Sequence, residues 1–393
     1  MKKKLLAMIV AVGMASTLLA GCGSSAPAPA EDKPAEEAPA EETPKDEAEA
    51  PADAAPSGDV DYSSLKIGAL LTATKDDGGW CECQFLGLDN ARAQLGMSED
   101  QIMYIENCAE ETVACTSAVE ELIGEGCQII IGCSTGYAPL LADLVNQYPD
   151  IQFVQCGAPV SGLTTYHIRA YDAMYGIGYL CALMSDTDKL GYVAGMSEAS
   201  VRFSANAFAL GARAANPNAT VDLLWANSWY DPAVEGECAT SLAAQGVKYM
   251  GTGCSSPGVA QACAKNGVFT TGYNLDTTDY APEAVLVSCV WNWAPMFEEI
   301  FSKYLTEGIF VENYFWGAGE GCAQLSYNDA LVSADLQAQV AEAMAPIESG
   351  EAHVFDGELL DNQGNVLVPA GETMSDEMIL DQQFLVENVN GTF

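Results

Sequence analysis

Gln128-Ile129-Ile130-Ile131-Gly132-Cys133-Ser134-Thr135-Gly136 is an apolar run that ends in a glycine-bounded turn. A run without polar alternation reads as a strand buried on both faces, and such strands belong to parallel sheets covered by helices. The flanking sequence repeats the pattern. Lys66 to Leu71 reads as a buried strand, Trp80 to Leu95 as a helix, Ile102 to Ile105 as a strand and Thr112 to Ile123 as a helix. After the quoted run come a helix ending near Tyr148 and a strand from Ile151 to Gln155. The series is βαβαβαβ, which predicts a parallel sheet.

The cycle restarts beyond a helix around Tyr171 to Met184. Leu190 to Ala194 reads as a strand, Ser200 to Ala215 as a helix and Val221 to Trp225 as a strand. A helix after Asp231, a strand near Tyr249, a helix from Pro257 and strands at Val268–Thr271 and Val285–Val290 complete it. The expected fold class is α/β, with two doubly wound parallel-sheet lobes. Ligands of open α/β sheets bind beyond the C-terminal strand ends, so the cleft between the lobes is the expected site.

The N-terminus carries Lys2, Lys3 and Lys4, an apolar run from Leu5 to Ala20, then small residues, the pattern of a secretory signal too short to span a bilayer stably. Leu19-Ala20-Gly21-Cys22 resembles the lipobox of bacterial lipoproteins, in which the cysteine is lipidated and becomes the mature N-terminus. The alternative is an ordinary signal with a chance cysteine. Residues 1–21 are read as signal peptide and residues 22–58 as a disordered acidic spacer. Its Ala, Pro, Glu, Asp, Ser and Thr bury too little apolar surface to offset chain entropy. The expected location is therefore the extracytoplasmic face of the cell membrane, held by a lipid anchor.

The formal net charge is -40, of which -35 belongs to the body from residue 59 onward, where only ten Lys and Arg remain. Such a body repels nucleic acid and anionic headgroups and offers few cations to a phosphorylated ligand, so a neutral or cationic ligand fits. Of the fourteen cysteines, thirteen remain once Cys22 is set aside, an odd number scattered singly along strands and helices. They read mostly as free buried thiols. Cys81 and Cys83 with Cys108 or Cys115 form the alternative, a bridge or soft-metal site, although no CxxC pair exists.

No phosphate-binding glycine loop follows the first strand. Gly132 to Gly136 either presents donors to a ligand, with Ser134 and Tyr137 as candidate contacts, or simply makes a tight strand-to-helix turn. His167 and His353 lie far apart with no Ser or Cys signature near either, so no triad, cofactor or resident metal is expected.

Several motifs now carry a resemblance: Asp77-Gly78-Gly79-Trp80; Gly211-Ala212-Arg213 with Asn216-Pro217; Asn227-Ser228-Trp229-Tyr230-Asp231-Pro232; Gly272-Tyr273-Asn274-Leu275-Asp276; Ser288-Cys289-Val290-Trp291-Asn292-Trp293; and Val368-Pro369-Ala370-Gly371 before Ser375-Asp376-Glu377. In this order, from about Lys66 to Leu380, the chain resembles the basic membrane protein family, the substrate-binding lipoproteins of ABC transporters that include purine-nucleoside receptors. The resemblance implies the type I periplasmic-binding fold with a three-segment hinge. On that basis residues 59–170 plus about 294–325 form the N-terminal lobe, and residues 171–293 plus about 326–393 the C-terminal lobe.

It also implies a small heteroaromatic ligand, a purine base or nucleoside, and a transporter permease as partner, with a monomer as the plain expectation. Trp80 is the implied stacking aromatic, against the alternative of a core tryptophan. Trp229, Trp291 and Trp293 belong to the named motifs, with ligand contact and core packing both open for Trp229 and Trp293. Asn274 and Asp276 follow a strand and either bond the ligand or serve a turn. Asp77 either lines the site or caps the helix that Trp80 opens. Arg202 and Phe203 fall where many relatives have an Arg-Phe pair near the cleft, or Arg202 forms a structural salt bridge.

The chain also departs from the family. Many nucleoside-binding members carry Asp at the position of Asn274 and Lys at that of Trp291, and relatives with the Trp-Asn-Trp motif usually show His-Thr-Asp-Ser where this chain has Gly253-Cys254-Ser255-Ser256. The expected function is a non-catalytic receptor for uptake. A surface sensor of the same fold with another ligand, or a nucleoside-processing enzyme, are the alternatives.

Overall fold

A computed structural model describes residues 60–393. The signal peptide, Cys22 and the whole acidic spacer lie outside the described residues. Five strands open the body: β1 (Ile67–Leu70), β2 (Ile102–Ile105), β3 (Ile129–Gly132), β4 (Gln152–Cys156) and β5 (Thr164–Ile168). Helices α1 (Trp80–Gln94), α2 (Thr112–Gly124) and α3 (Ala138–Leu144) link the first four. With β11 (Asn313–Trp316) they make a fully parallel sheet in the order β11-β5-β4-β3-β1-β2. Every residue of β3 is buried; Ile129 and Ile131 join the core on one face, Ile130 the core on the other. That two-sided burial is what an unbroken isoleucine run requires.

After α4 (Tyr171–Met184) the pattern recurs in β6 (Lys189–Ala194), α5 (Ala199–Ala215), β7 (Thr220–Trp225), α6 (Pro232–Ala244), β8 (Tyr249–Gly253), α7 (Gly258–Asn266), β9 (Phe269–Asn274) and β10 (Val285–Trp291). The second sheet runs β12-β10-β9-β8-β6-β7-β15, where β12 is Ala323–Tyr327 and β15 is Val389–Asn390. It is parallel except where β10 meets β12. Asp231 caps α6 by accepting from the amides of Ala233 and Val234, with Pro232 at the first helical position.

Helices α4 and α5 cross with almost no space between their backbones. A Cβ at Gly178 would stand 1.9 Å from the Phe208 carbonyl oxygen, and one at Gly211 would stand 1.9 Å from that of Tyr175. The Gly211-Ala212-Arg213 motif thus owes its glycine to packing.

The chain passes between the sheets three times: from β5 to α4, from β10 to α8 (Ala294–Glu307), and from β11 to β12. The passages are bonded to one another. Arg169 donates its amide to Trp316 O at 2.7 Å and a guanidinium N–H to Phe315 O, while Asp172 accepts from the Ala318 amide at 3.0 Å. Asn292 donates its amide to Cys322 O at 2.8 Å and its side chain to Gly321 O. Three adjacent connecting segments form the hinge expected of the fold.

Sequence patterning did not reveal β5, β11 or β12. Strands β5 and β11 carry polar residues that satisfy one another or the loop before β11: Thr164 Oγ1 donates to Phe310 O and Thr165 Oγ1 to Asn313 Oδ1. Among the described residues no helix is long and apolar enough to cross a membrane.

Candidate functional site

The N-terminus of α1 and the C-terminal ends of β3, β9 and β10 converge on the seam between the sheets. Asp77 organises the first of these. Its carboxylate accepts from the amides of Gly79, Cys81 and Glu82 at 2.9, 3.2 and 3.0 Å, so it caps α1. Trp80 opens the capped helix, and its indole is held by its own N–H, which donates to Cys133 O at 2.7 Å. Half-buried Trp80 then meets two other indoles edge-on, Trp291 at 5.6 Å and Trp293 at 5.9 Å between ring centres. Trp291 also contacts Trp293 at 5.5 Å, Tyr273 at 5.3 Å and His167 at 5.7 Å. Edge-to-face packing at these distances is favourable for quadrupolar rings.

Helix α1 and the second sheet are bonded directly. Cys83 lies on α1, and its thiol donates to the backbone oxygens of Asn274 and Trp291 at 3.4 Å while accepting from Trp293 Nε1 at 3.3 Å. Burial pushes that thiol up to about 12, so it stays protonated and can donate. Nearer the surface, Tyr280 donates its hydroxyl to Gly78 O at 3.1 Å. The seam is closed by these contacts.

The seam is weakly polar. Burial pushes His167 down to about 4, leaving a neutral ring whose Nδ1 bonds Ile168 O. Asn274 sits in the left-handed region at φ 69°, 1% exposed, and donates to Ser255 Oγ at 2.8 Å. Its Oδ1 is buried without a partner, and the buried N–H of Trp291 has only the Cys289 thiol, a weak acceptor, beside it. Asp276 is pushed up by partial burial, but bonds from Ser326, Thr278 and Ser288 outweigh that and hold it below the usual carboxylate range.

The structure thus unites Trp80, Trp291, Trp293 and Asn274, and brings Phe203 to the edge of the cluster, 6.1 Å from the ring of His167. Other candidates lie elsewhere. Tyr137 is fully buried on the opposite face of the first sheet and donates to Cys108 O at 2.6 Å. Ser134 donates to Glu110 at 2.5 Å. Arg202 is 5% exposed and forms no salt bridge among the described residues; it bonds Gln382 O and Ser197 and faces the ring of Phe393. Trp229 is 53% exposed and joins none of the aromatic contacts among the described residues. The motifs did not single out His167, Tyr273, Cys83 or Ser255 as members of the site. Tyr273 lies inside a quoted motif and Ser255 inside the segment where the chain departs from its family, whereas nothing local marks His167 or Cys83.

All thirteen described cysteines are free and twelve are buried, with Cys238 half-buried. Cys81, Cys83, Cys108 and Cys115 form no bridge, and among the described residues no group of three or more His, Cys, Asp or Glu could hold a metal. The two best-formed cavities, about 590 and 400 Å³, lie along β12 and α9 (Ala334–Glu348) and beside Arg169, His353 and Asp376, away from the aromatic seam.

Two α/β sheets, a three-segment hinge and an aromatic seam at the strand ends define a periplasmic-type binding protein of the type I fold. A solute-binding protein of an ABC transporter system from Conexibacter woesei shares it, with a TM-score of 0.63 at 16% identity over 74% of this chain and 98% of that one. Residues 64–350 match the family described as ABC transporter substrate-binding protein, PnrA-like, and the chain belongs to that family. A purine-binding protein of Brucella abortus is 27% identical over 83% of this chain and 93% of its own length. A Haloferax volcanii protein, provisionally named an ABC transporter glucose-binding protein, is 29% identical over 70% of this chain and 71% of its own. Family membership makes this chain a substrate-binding component of an ABC transporter.

Proposed function

We propose that the protein is a lipid-anchored receptor, tethered through Cys22 on the extracytoplasmic face, that captures a purine base or nucleoside between its sheets and presents it to a transporter permease. The observation that carries the ligand class is the seam itself. Trp80, Trp293 and Tyr273 supply flat apolar faces around Trp291, and Asn274 Oδ1 supplies an unused acceptor. A flat heteroaromatic ring with polar edges matches that set. None of the residues that form the seam is Lys or Arg, which disfavours nucleotides, whose phosphates need a cation. The purine-binding relative supports the same class.

Thermal melting with adenine, guanine, hypoxanthine, their nucleosides, glucose and amino acids tests the reading. A ligand that binds only the folded state raises the melting point by mass action, by about 2.7 kcal/mol of added stability at 100 times its dissociation constant. A shift with one purine and none with glucose is expected. A shift with glucose alone would overturn the purine assignment. Loss of lipid from the Cys22→Ala protein, read by mass spectrometry, tests the anchor.

A further inference from the structure

Three indoles meet in the seam, and they differ in one respect. Trp80 donates its N–H to Cys133 O, and Trp293 donates its own to Cys83 Sγ. Trp291, 4% exposed, makes no hydrogen bond of ordinary geometry; the Cys289 thiol, a weak acceptor, stands beside its N–H. A buried N–H so poorly satisfied has lost its water for little return, a condition that native structures keep only for a reason. Asn274 Oδ1, on the neighbouring strand where Asn274 pairs with Val290, is buried and unpartnered.

The ring of Trp291 is also unusual in its surroundings. It is boxed by Trp80, Trp293, Tyr273 and His167, all edge-on at 5.3 to 5.7 Å. Its backbone closes β10 and is fixed by pairing with Ala323, so any rearrangement there falls to the side chain. An indole is a flat bicycle with a ring N–H, about the size of a purine. The box at the strand ends, where ligands of this fold sit, is therefore filled by a side chain shaped like the proposed ligand.

We infer that Trp291 is the resident occupant of the binding box, and that a flat bicyclic heteroaromatic ligand binds by displacing its indole. Trp291 then determines specificity, because only a ring that satisfies the box better than indole does can enter. The cost of displacement lowers affinity by the fraction of molecules in which the box is vacant. The inference rests on the seam being the ligand site, but it does not depend on the natural ligand being a purine.

The test uses the full chain with Trp291→Ala, and Trp291→Leu as a second variant that keeps an apolar filler if the alanine protein does not fold. Indole, benzimidazole and adenine are titrated by calorimetry into each variant and into the unaltered protein. Indole and benzimidazole are expected to bind the variants and not the unaltered protein, and adenine to bind the variants at least about tenfold more tightly, the gain if a vacant box is populated at a tenth or less. Indole rescue without adenine binding would keep this inference and sink the purine reading. Folded variants that bind no bicycle, or that bind adenine more weakly than the unaltered protein, would overturn it, because Trp291 would then be a wall of the site.

Discussion

The two sides of the seam are built alike and finished differently. On the side of the first sheet the groups at the seam are spent, Asp77 on three amides and Trp80 on Cys133, and the unpartnered Gln155 Oε1 lies back in the sheet beside Ser134. On the side of the second sheet Asn274 Oδ1 remains unused and Trp291 Nε1 is poorly satisfied. Under the proposed function the asymmetry divides the labour of recognition: the first sheet offers a pre-set aromatic face, whereas the second holds the hydrogen-bonding capacity that distinguishes one ring from another.

The largest expected effect comes from removing that face. Trp80→Ala deletes the one half-buried indole of the cluster and should weaken ligand binding by about 2 to 3 kcal/mol, roughly 30- to 150-fold, as aromatic anchors do. Calorimetry with the ligand identified by melting reads it. A loss below threefold would mean that the first sheet contributes no face, and the comparison would fail.

Next in size is the acceptor on the other side. Asn274→Gly keeps the left-handed backbone without strain and removes the carboxamide. Affinity should fall by about 1 to 1.5 kcal/mol, near tenfold, with a larger loss for ligands that offer a ring N–H or amino group than for those that do not. An equal loss for all ligands would show that Asn274 only shapes the loop through Ser255. A smaller effect, and of another kind, follows from Asp77→Ala. Loss of the α1 cap should cost about 1 kcal/mol of stability and leave affinity within twofold, which a modest fall in melting point and an unchanged titration would show.

Much of this fold was legible because buried parallel strands are largely apolar: β1 and β3 are unbroken runs, β10 is broken only by Ser288 and β4 carries Gln152 and Gln155, and the limits of all four differ from the expected ones by a residue or two. Strand β5, Thr-Thr-Tyr-His-Ile, is equally buried, but its polar side chains gain their partners from segments about 150 residues away, and no local pattern records that. The site divides in the same way. The motifs pointed to Trp80, Trp291, Trp293 and Asn274, yet whether an aromatic contacts ligand or core depends on long-range packing. Tyr137 and Trp229 lie at the two extremes, one fully buried in the other face of the sheet and the other half-exposed on a loop.

The smallest effect expected in the unaltered protein concerns pH, because two shifts near the hinge oppose each other. His167 belongs to the first sheet, and burial lowers it to about 4 from an ordinary 6.5. Between those values the unfolded chain binds the extra proton, so this residue's contribution to stability is lost as pH falls. Asp172 lies on α4, and burial, opposed by Arg169 and the Ala318 amide, raises it to about 6 from 3.8. Here the folded chain binds the extra proton, so stability is lost as pH rises through the same window; Glu320 adds to that shift. These two contributions should nearly cancel from about pH 4 to 6. Asp172→Asn removes the second contribution alone and should make stability climb more steeply with pH across that interval than in the unaltered protein, whereas His167→Phe should make it climb less or decline. Parallel profiles for the two variants would show that the hinge residues are not held in opposite protonation states, and that the contrast between the sheets stops at the seam.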